Sequence, residues 1–522
     1  MPRIYMNTDI NTGTFPFYHK LAEREKITPA MLYPYVDVHR LTATTDFLVC
    51  TFCQFSASAS DVFADYSDLV LAGRNDNNTP DTLSKADAWS ALEKIQRTLR
   101  ENYGTDVYAT IFDRCRQVGF NPWISFRMND CHNSAVKVPI CEKDFFARAV
   151  RNGWTVGEDY GYFKTCLDYE VDEVRETFLR YIEEQLMRYN VYGVELDFMR
   201  EYHCFKYLSA DMEKCTALMT DFIRKAKGIV TKAEEKHGHK IKLALHILRD
   251  EAHCKTYGFD IVTMAKEGLI DVIIPAPRFN SADSGIDVDE WRKIANGAEI
   301  VTGLEAAAGI VDGKFVDTSK EIALGICAGY LSYNPDGLYF YNHFISPHMF
   351  SNFYTPLCKY EEFRVQFNEP WMKSYGVLQS AGSYEDIYKN ALRFAIIPES
   401  DDHPDYCPKW KPLPAEINSK DKTFTIRTGK IPSGKTYSVI LGFVGEACDF
   451  SVTVNGVEIQ GFSENPLDFI EGIGWQPEAV VPKGTVCYRA AFDSAILTSP
   501  TQTVTVKSKT PVTLNWLEIN LY

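Results

Sequence analysis

The sequence predicts an α/β fold, a (β/α)8 TIM-type barrel followed by a C-terminal all-β sandwich. Three observations carry that prediction. Short β-type segments alternate with longer helical ones through residues 3–341, the pattern of parallel βα units. No strand runs into a glycine-rich phosphate loop of the GxGxxG or GxxxxGK type, which sets a doubly wound open sheet behind the barrel. Beyond about residue 385 the helical segments give way to short strands punctuated by Pro and Gly.

In chain order, strands are expected at Arg3–Thr8, Asp46–Thr51, Pro122–Phe126, Gly193–Leu196, Lys242–His246, Asp271–Ile274, Glu299–Thr302 and Gly337–Tyr341. Helices are expected between them at Asp106–Gln117, Val171–Arg188, Ala210–Lys236, Ile261–Glu267, Val288–Ala295 and Ser319–Leu331. In the second of these, Val174, Phe178, Tyr181, Ile182 and Leu186 recur close to helical spacing. A polar insertion, about residues 54–102, follows strand two. In a barrel it sits at the catalytic face, as a lid or a dimer contact. Further strands are expected at Thr423–Thr428, Tyr437–Gly442, Asp449–Val454, Val457–Gln460, Val486–Phe492 and Thr503–Lys507, with Asn455-Gly456 as a hairpin turn. The expected division is a barrel over residues 1–385 and a sandwich over 386–522. We read the sandwich as a structural cap in preference to a sugar-binding module.

Bulk properties narrow the function classes. At 522 residues the chain exceeds what one core organises. Apolar content of 45% and charged content of 24% are those of a soluble globular protein. A net charge of −15 argues against nucleic acid or an anionic membrane as partner. Screening over about 8 Å still lets a local basic cleft act alone. No apolar run approaches the roughly 20 residues of a membrane span. Met1–Asp9 lacks a signal-peptide core and reads as a strand. The expected location is cytoplasmic, or exported after removal of a leader. The 14 cysteines are scattered, which suits a reducing compartment. The one CxxC, Cys50-Thr51-Phe52-Cys53, lies in a strand that turns the two thiols to opposite faces. Neither a metal nor a cofactor is expected.

In a barrel the strand C-termini converge on one pocket. Strand three exits through Arg127, Asn129, Asp130 and His132, and strand four carries Glu195, Asp197 and Arg200. Asp9 closes strand one, His246 and Arg249 end strand five, and Arg278 ends strand six. Glu305 ends strand seven, and Tyr341-Asn342-His343 ends strand eight. Glu195 and Asp197 are two apart and share one side of their strand. They serve either as a catalytic pair or as members of a structural ion pair with a nearby arginine. Two chemistries compete. Paired carboxylates suit glycoside hydrolysis through an oxocarbenium-like transition state. Arg127 and Arg200, from adjacent strand ends, suit a fork-like grip on a carboxylate.

The segments Phe126-Arg127-Met128-Asn129-Asp130-Cys131-His132 and Gly193-Val194-Glu195-Leu196-Asp197-Phe198-Met199-Arg200 resemble glycoside hydrolase family 156, the inverting exo-sialidases. Tyr257-Gly258-Phe259-Asp260 and Lys266-Glu267-Gly268-Leu269-Ile270-Asp271 also resemble a wider set of barrel hydrolases. The similarity runs through residues 1–370 in order and spacing. It implies that Arg127 and Arg200 hold the sialic acid carboxylate, that Asp9 and His132 form the acid/base pair, and that Asn342 contacts the sugar. Asn129, Asp130, Glu195 and Asp197 are expected around the substrate, a sialylated glycan. The resemblance also implies a homodimer. The family has a further histidine after strand two, where this chain reads Cys53-Gln54-Phe55-Ser56-Ala57-Ser58, and His39 lies before that strand.

The chemistry is coherent on its own terms. A sialoside carries its carboxylate on the anomeric carbon, so a carboxylate nucleophile there meets like-charge repulsion. An inverting route through water avoids that step, with histidine suited to donate or accept near neutral pH. Two alternatives stand beside this reading. One is a glycosidase using Glu195 and Asp197 on a neutral or uronic-acid sugar; the other is a non-catalytic sugar-binding barrel.

Overall fold

The computed structural model describes residues 2–9, 21–71, 83–131, 141–277, 284–311, 314–343, 369–396, 412–432, 434–446, 449–464 and 484–521. Its first unit is a closed parallel barrel. The strands are β1 (Arg3–Asp9), β2 (Asp46–Cys53), β3 (Asn121–Arg127), β4 (Gly193–Asp197), β5 (Lys242–Leu248), β6 (Val272–Ala276), β7 (Glu299–Glu305) and β8 (Gly337–Tyr341). Each pairs with its chain neighbour, and β1 pairs with both β8 and β2, which closes the ring. Every expected barrel strand is present, most extended by a residue or two at the C-terminal end.

The strands are buried on both faces, as a barrel wrapped in helices requires. Ile4, Met6, Phe47, Val49, Ile124, Phe126, Val194 and Leu196 face the helical shell. Tyr5, Leu48, Trp123, Ala244, Val272, Ile274, Val301, Tyr339 and Tyr341 fill the lumen. The N-terminal end is plugged by ions. Arg3 binds Asp46 and Glu299, Lys242 binds Glu299, and the Trp123 indole donates to Asp46 at 2.8 Å. Above that plug the lumen turns from aromatic to ionisable, so its chemistry is confined to the C-terminal half.

Helices start where short polar side chains take the first orphan amides. Asp106 accepts from Ala109 N at 2.8 Å, and Ser319 from Ile322 N at 3.2 Å. The helices they open, Val107–Val118 and Lys320–Leu331, fall where the sequence places them.

The insertion after β2 is fastened to the barrel over its first part. Ser58 and Ser60 donate to Gln185 and Glu184 at 2.7 Å each, and Ser56 shares a 2.8 Å bond with Tyr181, all on helix Asp172–Arg188. Beyond it, Leu83–Tyr103 forms a helix whose Trp89, Leu92, Ile95 and Leu99 are buried. Residues 72–82, between these two parts of the insertion, lie outside the described residues.

The C-terminal part is two antiparallel sheets. One holds β9 (Leu392–Ile396), β10 (Ala415–Ile417), β12 (Tyr437–Val444), β15 (Ser463–Glu464), β16 (Thr485–Phe492) and β18 (Val512–Leu521); the other holds β11 (Lys422–Arg427), β13 (Phe450–Val454), β14 (Val457–Ile459) and β17 (Thr501–Ser508). Asn455 and Gly456 both take positive φ, 51° and 80°, in the hairpin between β13 and β14. Strands β9, β10, β15 and β18 were not expected, although β18 is the central strand that pairs with β9, β10 and β12.

Candidate active site

Register places the polar strand ends together. Arg127 is opposite Asp197, and Asp197 is opposite His246. With Tyr341 from β8 and Asn7 from β1, these groups form one buried network across the lumen.

Asp197 is its hub. Oδ1 accepts from His246 Nδ1 at 2.9 Å, Met199 N at 2.9 Å and Arg200 N at 3.1 Å. Oδ2 accepts from the Tyr341 hydroxyl at 3.0 Å. Burial alone raises a carboxyl pKa. Here the His246 charge and hydrogen bond, the Arg127 charge and the Tyr341 hydroxyl outweigh it and hold Asp197 below its ordinary value. Glu195 sits one layer deeper. Asn7 Nδ2 donates to its Oε2 at 2.9 Å, and His246 Nδ1 is 3.8 Å from Oε1. Burial pushes Glu195 up to about 7, the Asp197 charge adds to the shift, and His246 opposes it. Burial also works against a charged His246, but Asp197 and then Glu195 outweigh it and raise the imidazole above its ordinary value. The result is a carboxylate held toward its ionised form, an imidazole held toward its protonated form and a carboxyl pushed up to about 7.

Glu195 and Asp197, expected around the substrate, are both fully buried in the lumen with their oxygens turned to β1, β5 and β8. They form the floor of the site and support what stands on it.

The arginines stand above that floor. Arg127 is 7% exposed and Arg200 5%. The segment after Arg127 is pinned at four points. The Tyr169 hydroxyl donates to Met128 O at 2.6 Å, Gln54 Nε2 donates to Asp130 O at 2.7 Å, and Arg127 Nη1 is 3.5 Å from Asp130 Oδ2. Asn129 is the fourth pin. Its amide donates to the carbonyls of Leu167 and His203 at 3.2 and 3.0 Å, and its Oδ1 accepts Leu167 N at 2.9 Å. Asn129, expected around the substrate, is fully buried, and these backbone bonds brace the loop.

Across the mouth, Asn342 follows β8 with φ of 61° and donates to both Glu305 oxygens at 3.0 and 3.1 Å. Glu305 Oε1 also accepts Ala306 N at 2.8 Å. The adjacent His343 is buried, which lowers it to about 4 and keeps it neutral. Asp9 closes β1, paired in register with Cys50 of β2; its side chain lies outside the described residues, as do His132 and Arg278. His39 does not replace the histidine missing after β2. It packs edge-on against Phe47, near the opposite end of that strand, and burial lowers it to about 3.

The roles of His246, Tyr341 and Asn7 escaped the sequence reading. Each shares lumen parity with a residue on its strand, but each partner comes from another strand. Among the described residues no cluster of His, Cys, Asp or Glu is arranged to hold a metal, no disulfide forms, and no helix is long and apolar enough to cross a membrane.

No protein-family model matches the chain, and no curated protein sequence matches it. Solved structures are similar at low identity. A cycloisomaltooligosaccharide glucanotransferase from Paenibacillus sp. aligns over 99% of this chain and 57% of its own, at 10% identity and TM-score 0.33. An Anoxybacillus alpha-amylase aligns over 98% of each chain at 10% identity and TM-score 0.37. The PgaB glycoside hydrolase domain from Bordetella bronchiseptica aligns over 66% of this chain and 94% of its own, at 9% identity and TM-score 0.40. The chain thus spans little more than half the length of the Paenibacillus enzyme. At such identities the likeness concerns the fold and carries no argument about chemistry.

Proposed function

We propose that this chain is a barrel glycoside hydrolase, and specifically an exo-sialidase that releases terminal sialic acid from glycans with inversion. One observation carries the reading. Two nearly buried arginines, Arg127 and Arg200, come from adjacent strands to one edge of the barrel mouth, in a chain of net charge −15. Guanidinium forks match a carboxylate geometrically and electrostatically. A substrate with its carboxylate at the anomeric carbon is thereby held with that carbon over the mouth.

In this reading Asn342 contacts the sugar while Glu305 fixes its orientation. Asp9 and His132 take the acid and base roles that the family resemblance assigns. One activates water and the other protonates the leaving oxygen, so no negatively charged nucleophile has to approach the anionic centre.

The test is turnover of an aryl sialoside by purified protein, with NMR of the first-formed anomer. Arg127→Ala and Arg200→Ala are each expected to lower kcat/KM by roughly 10- to 100-fold, the loss of a charged hydrogen bond. Asp9→Asn and His132→Ala are expected to abolish turnover with the fold intact. No release by abundant enzyme, or arginine variants at wild-type kcat/KM, would overturn the proposal.

A second reading draws on the split between Glu195, which keeps its proton to about 7, and ionised Asp197. Divergent carboxyl groups are the pattern of an acid paired with a base. Against it stands the complete burial of both. Hydrolysis of an uncharged aryl glycoside, lost only in Glu195→Gln, would establish it in place of the first.

A further inference from the structure

We infer that His246 is the positioning residue of the arginine fork, acting through Asp197. The inference rests on reading Arg200 as a carboxylate ligand.

The geometry runs in three steps. Past β4 the Phe198 amide bonds to the His246 carbonyl, and the next two amides, of Met199 and Arg200, both bond to Asp197 Oδ1. The backbone that delivers Arg200 therefore follows that oxygen. The other oxygen holds the Tyr341 hydroxyl, on the residue before Asn342. A single carboxylate thus sets the exits of β4 and β8, which supply the fork and the sugar contact. His246 completes the set by reaching from β5 to the same Oδ1 at 2.9 Å.

Its N–H makes the contact, and its charge strengthens it. Glu195 and Asp197 project into one sealed lumen two positions apart on β4. A second ionised carboxylate there is opposed by repulsion and by desolvation. The groups that face the imidazole are Asp197 and Glu195 on β4 and the rings of Tyr339 and Tyr341 on β8, at 4.7 and 5.1 Å between centroids. The Glu305 charge on β7 also acts on it, and Arg127 on β3 acts on Asp197 from above. The imidazolium keeps Asp197 ionised and accepting four donors, and with it the spacing of Arg200 from Asn342.

His246→Leu and His246→Asn distinguish positioning from bulk packing. The asparagine amide can stand where Nδ1 stands and donate to Asp197 without charge; leucine fills space alone. For His246→Leu we expect KM on an aryl sialoside, and the dissociation constant of free sialic acid, to rise about tenfold while kcat changes little, since the fork grips ground state and transition state alike. His246→Asn is expected to recover most of that loss below neutrality. Wild-type KM should rise as His246 deprotonates, above its ordinary 6.5, and this rise should be absent in His246→Asn. Unchanged KM and affinity in the leucine variant would overturn the inference. So would an asparagine variant that resembles leucine in every respect.

A readout independent of activity separates this inference from the sialidase reading. Proton NMR should show a downfield imidazole N–H in wild type that vanishes in His246→Asn and in Asp197→Asn. If wild type neither binds nor cleaves sialosides, the sialidase reading falls and the inferred role of the fork falls with it, while the His246–Asp197 bond stands or falls on that resonance alone.

Discussion

Glu195 and Asp197 show how position alone divides two similar side chains. Asp197 meets four donors and stays ionised, whereas Glu195 meets a neutral amide and an imidazole shared with its neighbour. The division has a pH signature. Glu195 is raised from 4.5 to about 7, so its stabilising contribution is complete below 4.5 and is lost as pH rises through 7, a change on the order of 3 kcal/mol. His246, also raised, contributes fully below 6.5 and loses its share above that. His39 and His343, lowered to about 3 and 4 by burial, act oppositely: their contribution is full above 6.5 and lost as pH falls. Glu195→Gln removes a loss of stability between pH 5 and pH 7, so Tm at pH 7 relative to Tm at pH 5 should be higher in the variant than in wild type. A variant whose Tm–pH curve parallels wild type would contradict the assignment. At this scale Arg127 and Arg200 were legible, because a charged group ending an apolar strand stands out in one dimension. His246 was visible as a strand-end histidine, but its partner lies 49 positions away, and no local pattern encodes that pairing.

At the scale of the element, β4 carries the most constraint. Gly193 faces the lumen, and a Cβ there would lie 2.2 Å from the Trp123 ring. The indole is held in turn by Asp46 and packs on Tyr5 at 5.6 Å between centroids, so it has nowhere to retreat. Gly193→Ala should cost about 1–3 kcal/mol through overpacking and shift the strand that carries Glu195 and Asp197. Chemical denaturation and kcat/KM should fall together, and a wild-type midpoint would refute the packing argument. The barrel strands were legible because burial on both faces makes them continuous apolar runs bounded by turns. Strands β9 and β18 were missed for a reason their residues supply. Arg393 and Glu518 read as solvent-exposed in sequence, yet each is fully buried and bonded to the other at 2.7 Å. Buried together, the two charges disguise both strands.

At the scale of the molecule, the β-sheets dock on the barrel through helix Lys320–Leu331. A Cβ on Gly325 would sit 2.2 Å from the carbonyl oxygen of Arg393, and one on Gly329 2.9 Å from that of Arg427. Arg427 reaches back to the carbonyls of Ser284 and Ile286 at 2.9 and 3.2 Å and lies over the Tyr333 ring. Backbone against helix at this distance leaves no flexible group to yield. Gly325→Ala is expected to loosen the junction by about 1–3 kcal/mol, and calorimetry should then resolve two transitions in place of one. A single unshifted transition would show that the junction contributes little. The glycines of this helix gave no signal in the sequence, since glycine within a helical pattern reads only as a weak helix former.

The sequence by itself determined the barrel, the order of its strands, the hairpin at Asn455-Gly456 and the set of ionisable residues at the strand ends. Those features follow from periodicity, turn chemistry and the abrupt change from apolar to charged residues, all local properties. Only the tertiary structure decided what each charge does. Closing the ring set Asp197 beside His246 and Tyr341, turned Asn129 into a brace and sealed Glu195 beneath the mouth. Burial and hydrogen bonding between distant strands set the proton on each group, and neither exists until the chain has folded.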